Sequence, residues 1–130
     1  MRKIARVKKP GADARWVILH ETEQGVYLFP FATDEDGSGT GDDWYPTLAD
    51  AESACAQRYG IGPSDWRTIA DPLPGCQQDW ITPVRVPGRA GGRPHWGRLE
   101  RLEGDEWVPL RHNDPRPSIE TAIRCAEERG

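Results

Sequence analysis

The sequence predicts an α+β fold built from two βββα-type repeats, with a mostly antiparallel sheet and two covering helices. Three observations predict it: apolar hairpins rich in β-branched and aromatic residues, an amphipathic helix after each, and the same Pro-Thr/Ser-Leu/Ile start in both helices. At 130 residues we expect a single domain spanning 1–130, with repeat halves 1–74 and 75–130. Two βββα units bury their sheet faces more easily together than either does alone.

The strands of the first half follow from composition and turn residues. Residues 2–9 form a short strand rich in Lys and Arg, which is typical of a sheet edge. Residues 15–21 are the strongest strand, and a turn at 23–25 returns the chain into 26–31 as a hairpin. Residues 65–69 are a short extended segment that follows the first helix.

The first helix has recognisable signals at both ends. It comes after an acidic loop at 33–43, starts at Thr47 with Asp50 three residues on, and stops at Gly60. Its predicted buried stripe consists of Leu48, Ala51, Ala54, Cys55 and Tyr59.

The second half repeats this plan after a linker at 71–75. Its predicted elements are a strand at 80–86, a Pro-Gly turn, a basic arm at 89–93, a hairpin of residues 95–102 and 106–110, and a helix at 117–130. Trp16 corresponds to Trp96, Gly25 to Gly104, and Pro46-Thr47-Leu48 to Pro117-Ser118-Ile119. These matches predict an internal duplication.

The net charge of −4 is unevenly distributed along the chain. Residues 32–82 carry ten acidic and two basic side chains, whereas residues 1–31 carry three acidic and six basic ones. A nucleic-acid binder needs a continuous positive surface, so we expect no nucleic-acid partner. The arginines between 85 and 101 lie beside acidic residues and are interpreted as a solvated face. The acidic middle of the chain favours a basic protein partner.

Cysteine usage and hydropathy bear on the environment of the protein. Cys55, Cys76 and Cys125 are odd in number and lack CxxC spacing, so we expect reduced thiols, no zinc site and a cytoplasmic protein. Cys55 and Cys125 fall inside the predicted helices, where we expect both to be packed. No apolar run has the length of a membrane span, so we expect no membrane partner. The sequence contains no phosphate-binding loop and no His/Cys metal spacing, so we expect no cofactor. The oligomeric state stays open.

The acidic loop resembles the front of a calcium-binding loop. Oxygen ligands occupy its first, third, fifth and ninth positions, which are Asp34, Asp36, Ser38 and Asp42, with glycine at the sixth. The twelfth position is Tyr45, where a bidentate glutamate is required. A calcium- or metal-binding module is therefore the alternative function, and a flexible connector is the simpler interpretation of the loop.

The tryptophans divide into two groups. We expect Trp16, Trp96 and Trp107, which lie within strands, to be core residues. Trp44, Tyr45 and Trp66 lie at junctions between elements. If their rings are exposed, we expect them to anchor an interface. For Trp44 the alternative is packing against its own helix.

No arrangement of residues predicts catalysis. His20, His95 and His112 are isolated, and the sequence contains no nucleophile elbow and no phosphate-binding glycine loop. We therefore predict that the protein is not an enzyme.

The motif Asp43-Trp44-Tyr45-x-Thr47-Leu48-x-x-Ala51, then Tyr59-Gly60-Ile61, then Asp65-Trp66, resembles small bacterial proteins of uncharacterised function. The resemblance covers about residues 15–70 and implies a hairpin, a helix and a following tryptophan, with no activity. At the level of class, a small acidic α+β protein without catalytic motifs is similar to the immunity proteins that neutralise bacterial toxins.

These observations predict a non-enzymatic protein-binding module, of inhibitor or immunity type. Its carboxylates steer a basic partner towards the surface, and its aromatic side chains anchor that partner. The predicted partner-binding residues are Asp34, Asp36, Asp42, Asp43, Trp44, Tyr45 and Trp66.

Overall fold

The computed structural model describes residues 1–88, 91–111 and 113–129, and for Arg129 it describes the backbone alone. Ten helices and strands follow one another in these residues. The strands are β1 Arg2–Arg6, β2 Trp16–Thr22, β3 Gly25–Phe31, β4 Asp43–Tyr45, β5 Arg67–Ile69, β6 Val84–Arg85, β7 Leu99–Glu103 and β8 Glu106–Leu110. The helices are α1 Leu48–Tyr59 and α2 Ile119–Arg129. The predicted α+β class, with antiparallel sheets and two helices, is confirmed. Arg89 and Ala90 of the predicted basic arm, His112 and Gly130 lie outside the described residues.

The chain divides into two compact units. The first comprises Met1–Asp34 and Ser38–Asp71, and the second comprises Glu35–Gly37 and Pro72–Gly130. The second unit is therefore discontinuous in sequence, because three residues of the acidic loop belong to it.

The first unit holds a five-stranded sheet in the order β4-β3-β2-β1-β5, and all its strand pairs are antiparallel. The predicted hairpin of β2 and β3 is confirmed. The prediction that the first strand lies at a sheet edge is wrong, because β1 pairs with β2 on one side and with β5 on the other. Its charged residues are compatible with this position: Arg2 is buried and its guanidinium Nε donates to the carbonyl of Ala70 at 2.7 Å.

Helix α1 has both predicted ends. The Thr47 hydroxyl accepts a hydrogen bond from the backbone N–H of Asp50 at 3.1 Å, and Gly60 ends the helix in the left-handed conformation at φ 69°. Alternation along the strands places one set of apolar side chains on the face towards this helix. The buried core on that side consists of Ala5, Ala14, Val17, Leu19, Val26, Leu28, Ala51, Cys55, Tyr59 and Ile61.

The second unit contains a three-stranded antiparallel sheet in the order β6-β7-β8. Its predicted first strand, 80–86, is reduced to two residues. The backbone N–H groups of Ile81 and Thr82 donate to the carboxylate of Asp36 instead of to a neighbouring strand. The predicted hairpin around Gly104 is confirmed, with Gly104 at φ 60°.

Helix α2 begins as α1 does. The Ser118 hydroxyl accepts a hydrogen bond from the N–H of Thr121 at 3.1 Å. Ile119, Ala122 and Ile123 form the buried face of this helix. The packing prediction for Cys125 is wrong, because its thiol is exposed; the protein has three free cysteines.

The three tryptophans predicted to be core residues have different outcomes. Trp16 is 3% exposed, which confirms its prediction, and Trp107 is half-buried with the Arg85 guanidinium 3.9 Å from its ring centroid. For Trp96 the prediction is wrong, because 71% of the residue is exposed. Trp96 precedes β7 and lies in a turn closed by a hydrogen bond from the Arg98 N–H to the His95 carbonyl at 3.2 Å. Among the residues described, no helix is long and apolar enough to cross a membrane.

Candidate functional site

Trp44 is the most exposed of the predicted binding residues that carry an aromatic ring. It lies in β4, the edge strand of the five-stranded sheet, opposite Tyr27 of β3. Its neighbour Tyr45 packs on the side of the sheet that faces α1, and successive side chains of a strand point to opposite faces. Trp44 therefore lies on the face away from α1, which corrects the alternative prediction that it packs against its own helix. It is 52% exposed.

The Trp44 ring is fixed by the turn between β2 and β3. Its indole N–H donates to the backbone carbonyl of Gln24 at 3.0 Å. The ring covers Gly25, whose φ is 124°; a Cβ at this position would lie 2.5 Å from the indole nitrogen. Glycine is thus required both for the backbone conformation and for the approach of the ring. One face of the ring is held and the remainder is presented to solvent.

Acidic side chains lie directly before Trp44. Asp42 and Asp43 are both exposed, and Asp43 accepts a hydrogen bond from the Arg58 guanidinium of α1 at 2.9 Å. The hydrogen bond to Asp43 raises the pKa of Arg58 above its ordinary value, so Arg58 stays charged and offsets part of the local negative charge. Asp42 has no ion pair among the described residues. Glu23, in the turn next to Gln24, adds a further exposed carboxylate.

Asp34 lies apart from this group. Its carboxylate accepts one hydrogen bond from Arg15 at 3.0 Å and one from the indole N–H of Trp16 at 2.9 Å. It therefore fixes the start of β2 to the beginning of the acidic loop.

Asp36 binds backbone groups of the second unit. It is 1% exposed, and its two carboxylate oxygens accept the N–H groups of Ile81 at 2.9 Å and Thr82 at 3.0 Å. Its own N–H donates to the carbonyl of Pro117 at 2.9 Å, next to a β-bridge between Glu35 and Ser118. A carboxylate buried with these partners stabilises the local backbone.

The carboxylates proposed as cation ligands do not converge. Asp34 is bonded to two side chains, Asp36 is buried against backbone amides, and Asp42 is exposed at the far end of the loop. In the described part of the chain, no group of three or more His, Cys, Asp or Glu side chains has an arrangement that could hold a metal ion.

Tyr45 and Trp66 are half-buried and pack against the core between the sheet and α1. The Lys3 ammonium lies 5.0 Å from the centroid of the Trp66 ring, which is a cation–π contact. Both side chains therefore contribute to the helix-side core of the first unit. Of the predicted set, the structure leaves Asp42 and Trp44 exposed beside each other, whereas Asp43 points to the side of the sheet that faces α1, where it pairs with Arg58.

Sequence reasoning missed Glu23, Gln24 and Gly25 as neighbours of Trp44. The sequence placed Gly25 at a hairpin tip, but the contact requires β4 to pair with β3, and nothing local in a three-residue strand predicts that pairing. The potential nucleophile Cys55 is part of the core, where burial raises the pKa of its thiol to about 12. At neutral pH this thiol stays protonated, and its role is packing.

No protein-family model matches the sequence, no curated protein is significantly similar to it, and no solved structure significantly resembles its fold.

Proposed function

We propose that this protein is a non-enzymatic protein-binding module, and that a basic partner docks on the Trp44 surface, defined by Glu23, Asp42 and Trp44. The observation that carries the proposal is that Trp44 is 52% exposed and yet held in place by a hydrogen bond from its indole N–H. An indole held by its N–H and by the turn beneath it loses little conformational freedom on binding, which is the property of an interface anchor.

The chemistry of the surface favours a cationic group on the partner. A lysine or arginine side chain gains from contact with the exposed indole face and from the carboxylates beside it. Exposed carboxylates also accelerate association with a positively charged surface. An inhibitor of a basic protein, of the type that includes toxin-neutralising immunity proteins, fits this description.

The proposal is tested by affinity capture from the native cell at low and high salt, with wild-type protein and two variants. Trp44→Ala removes the anchor, and Trp96→Ala removes a tryptophan that is more exposed and lies in the other unit. We expect a basic protein to bind the wild type and Trp96→Ala, to be lost with Trp44→Ala, and to bind more weakly as salt rises. A partner captured equally by Trp44→Ala contradicts the proposal.

Tyr45 is left unchanged in this experiment, because its ring packs against the core and its removal would affect folding. Circular dichroism of each variant establishes that the fold is retained. If the captured partner is a toxin, its activity should be inhibited by the wild type and not by Trp44→Ala.

We also infer that the two units arose by duplication of a βββα segment. What supports this is the shared order of elements: β1-β2-β3 and β6-β7-β8 are antiparallel meanders, and each precedes a helix capped by a hydroxyl, of Thr47 or Ser118. The inference is tested in the sequences of relatives. A relative with more similar halves supports it, and relatives whose second half is unrelated contradict it.

A further inference from the structure

A cleft of about 520 Å³ lies within the second unit, and none of its lining residues belongs to the Trp44 surface. Pro87, Leu99 and Pro109 contribute apolar walls, and His95, Arg98 and Glu100 contribute polar groups. Sites for small molecules have volumes of about 300–1,000 Å³ and combine apolar walls with a few polar groups. The cleft has the size and the composition of such a site.

A single turn presents the basic groups of the cleft. The Arg98 N–H donates to the His95 carbonyl, and Gly97, the third residue of the turn, has φ 88°. No other residue type has positive φ in the described chain, so the turn is of type II, with Trp96 at its second position. The His95 N–H donates to the Pro87 carbonyl at 2.9 Å, which attaches the turn to the segment after β6.

The cleft has a positive charge, because its carboxylate, Glu100, is paired with Arg85 whereas Arg98 is not paired with an acidic side chain among the described residues. The Glu100 carboxylate accepts from Arg85 Nε at 2.6 Å, and the Arg85 guanidinium lies over the ring of Trp107. Glu100 is therefore neutralised by a partner that is itself held in place. For Arg98 and His95, no ion pair is found within the described residues. Their N–H groups remain available to an anion.

We propose that this cleft binds a small organic anion that carries a flat ring, of the chemical class of a nucleoside monophosphate or an aromatic carboxylate. Arg98 and His95 hold the anionic group through charge-assisted hydrogen bonds. The ring lies against the apolar walls of Pro87, Leu99 and Pro109. Trp96 does not line the cleft; it lies between His95 and Gly97 in the same turn, is 71% exposed, and contacts the bound ring from the rim.

The test is calorimetric titration of the full chain with adenosine monophosphate and with benzoate, alongside adenosine and inorganic phosphate at the same ionic strength. We expect at least one ring-bearing anion to bind saturably, and at least tenfold more tightly than adenosine or phosphate. Arg98→Gln and Trp96→Ala should each weaken this binding at least tenfold. Both side chains are exposed, so these variants should fold normally, as circular dichroism would verify.

A matched variant serves as a control. Arg124→Gln changes an exposed arginine on α2 and should bind within twofold of the wild type. The inference is overturned if neither ring-bearing anion binds saturably, if phosphate alone binds as tightly, or if Arg98→Gln binds like the wild type. The protein-binding proposal is independent of all these outcomes.

Discussion

Replacing Asp36 by alanine tests the most specific structural assignment in the acidic loop. The carboxylate accepts the backbone N–H groups of Ile81 and Thr82, and the first of these hydrogen bonds is buried. Alanine removes both acceptors and leaves the N–H groups of Ile81 and Thr82 without these hydrogen bonds. Asparagine retains one oxygen acceptor, and its NH₂ group cannot accept the second N–H.

The size of the effect follows from the number of hydrogen bonds. A hydrogen bond to a charged group contributes about 1.5–3 kcal/mol, and an unsatisfied buried donor costs about 1–3 kcal/mol. We therefore expect Asp36→Ala to lower the free energy of unfolding by about 3–5 kcal/mol and Asp36→Asn by about 1.5–3 kcal/mol. With a urea m-value of about 1.5 kcal/mol/M, the midpoint for Asp36→Ala falls by about 2–3 M.

The assay is urea denaturation followed by circular dichroism, with Asp42→Ala as the matched control from the same loop. Asp42 is exposed and has no ion pair among the described residues, so its removal should change the free energy of unfolding by less than about 0.5 kcal/mol. The reasoning is refuted if Asp36→Ala unfolds at the wild-type urea concentration, or if both variants lose equal stability.

Three further predictions concern single residues. Gly25→Ala should destabilise the protein by at least about 1 kcal/mol in urea denaturation and shift the fluorescence of Trp44, since the new Cβ meets the indole ring; wild-type behaviour would show that the ring is not held there. At pH 8, iodoacetamide should label Cys125 and spare Cys55 in the folded protein, because a pKa of about 12 keeps the Cys55 thiol protonated; mass spectrometry showing equal labelling would contradict this. Thr47→Ala should lower the free energy of unfolding by about 1 kcal/mol, and Thr47→Ser should keep it close to the wild-type value; equal losses in both variants would exclude the cap.

Local signals in the sequence were sufficient for the helices and hairpins. Thr47 and Gly60 act on backbone groups three to five residues away, so the bounds of α1 were predictable from residue type alone. The β2–β3 hairpin was predictable for the same reason, since its apolar strands flank a short turn at Gly25.

Pairings between distant segments were not predictable in this way. The position of β1 beside β5 depends on residues far along the chain, and the charge of Arg2 pointed to an edge although its guanidinium is satisfied inside the sheet. Trp96 was misplaced because a strand was expected to begin at His95, whereas the Gly97 turn precedes the strand.

The candidate site was predicted in part. Acidity and aromatic content drew attention to residues 34–45, and Asp42, Asp43 and Trp44 are exposed there, with Asp43 on the side that faces α1. The same composition could not separate a carboxylate bonded to backbone amides, such as Asp36, from one exposed to solvent. That difference arises from partners about 45 residues away.

The discontinuity of the second unit has a consequence for folding during synthesis. Asp36 leaves the ribosome 45 residues before Ile81, and at about 5–20 residues per second this is an interval of roughly 2–9 s. Throughout that time the nascent chain carries a carboxylate whose backbone partners do not yet exist, although β1, β2 and β3 have already been made. The second unit can therefore be completed only after α2 has been synthesised, although its first three residues, Glu35–Gly37, are made long before.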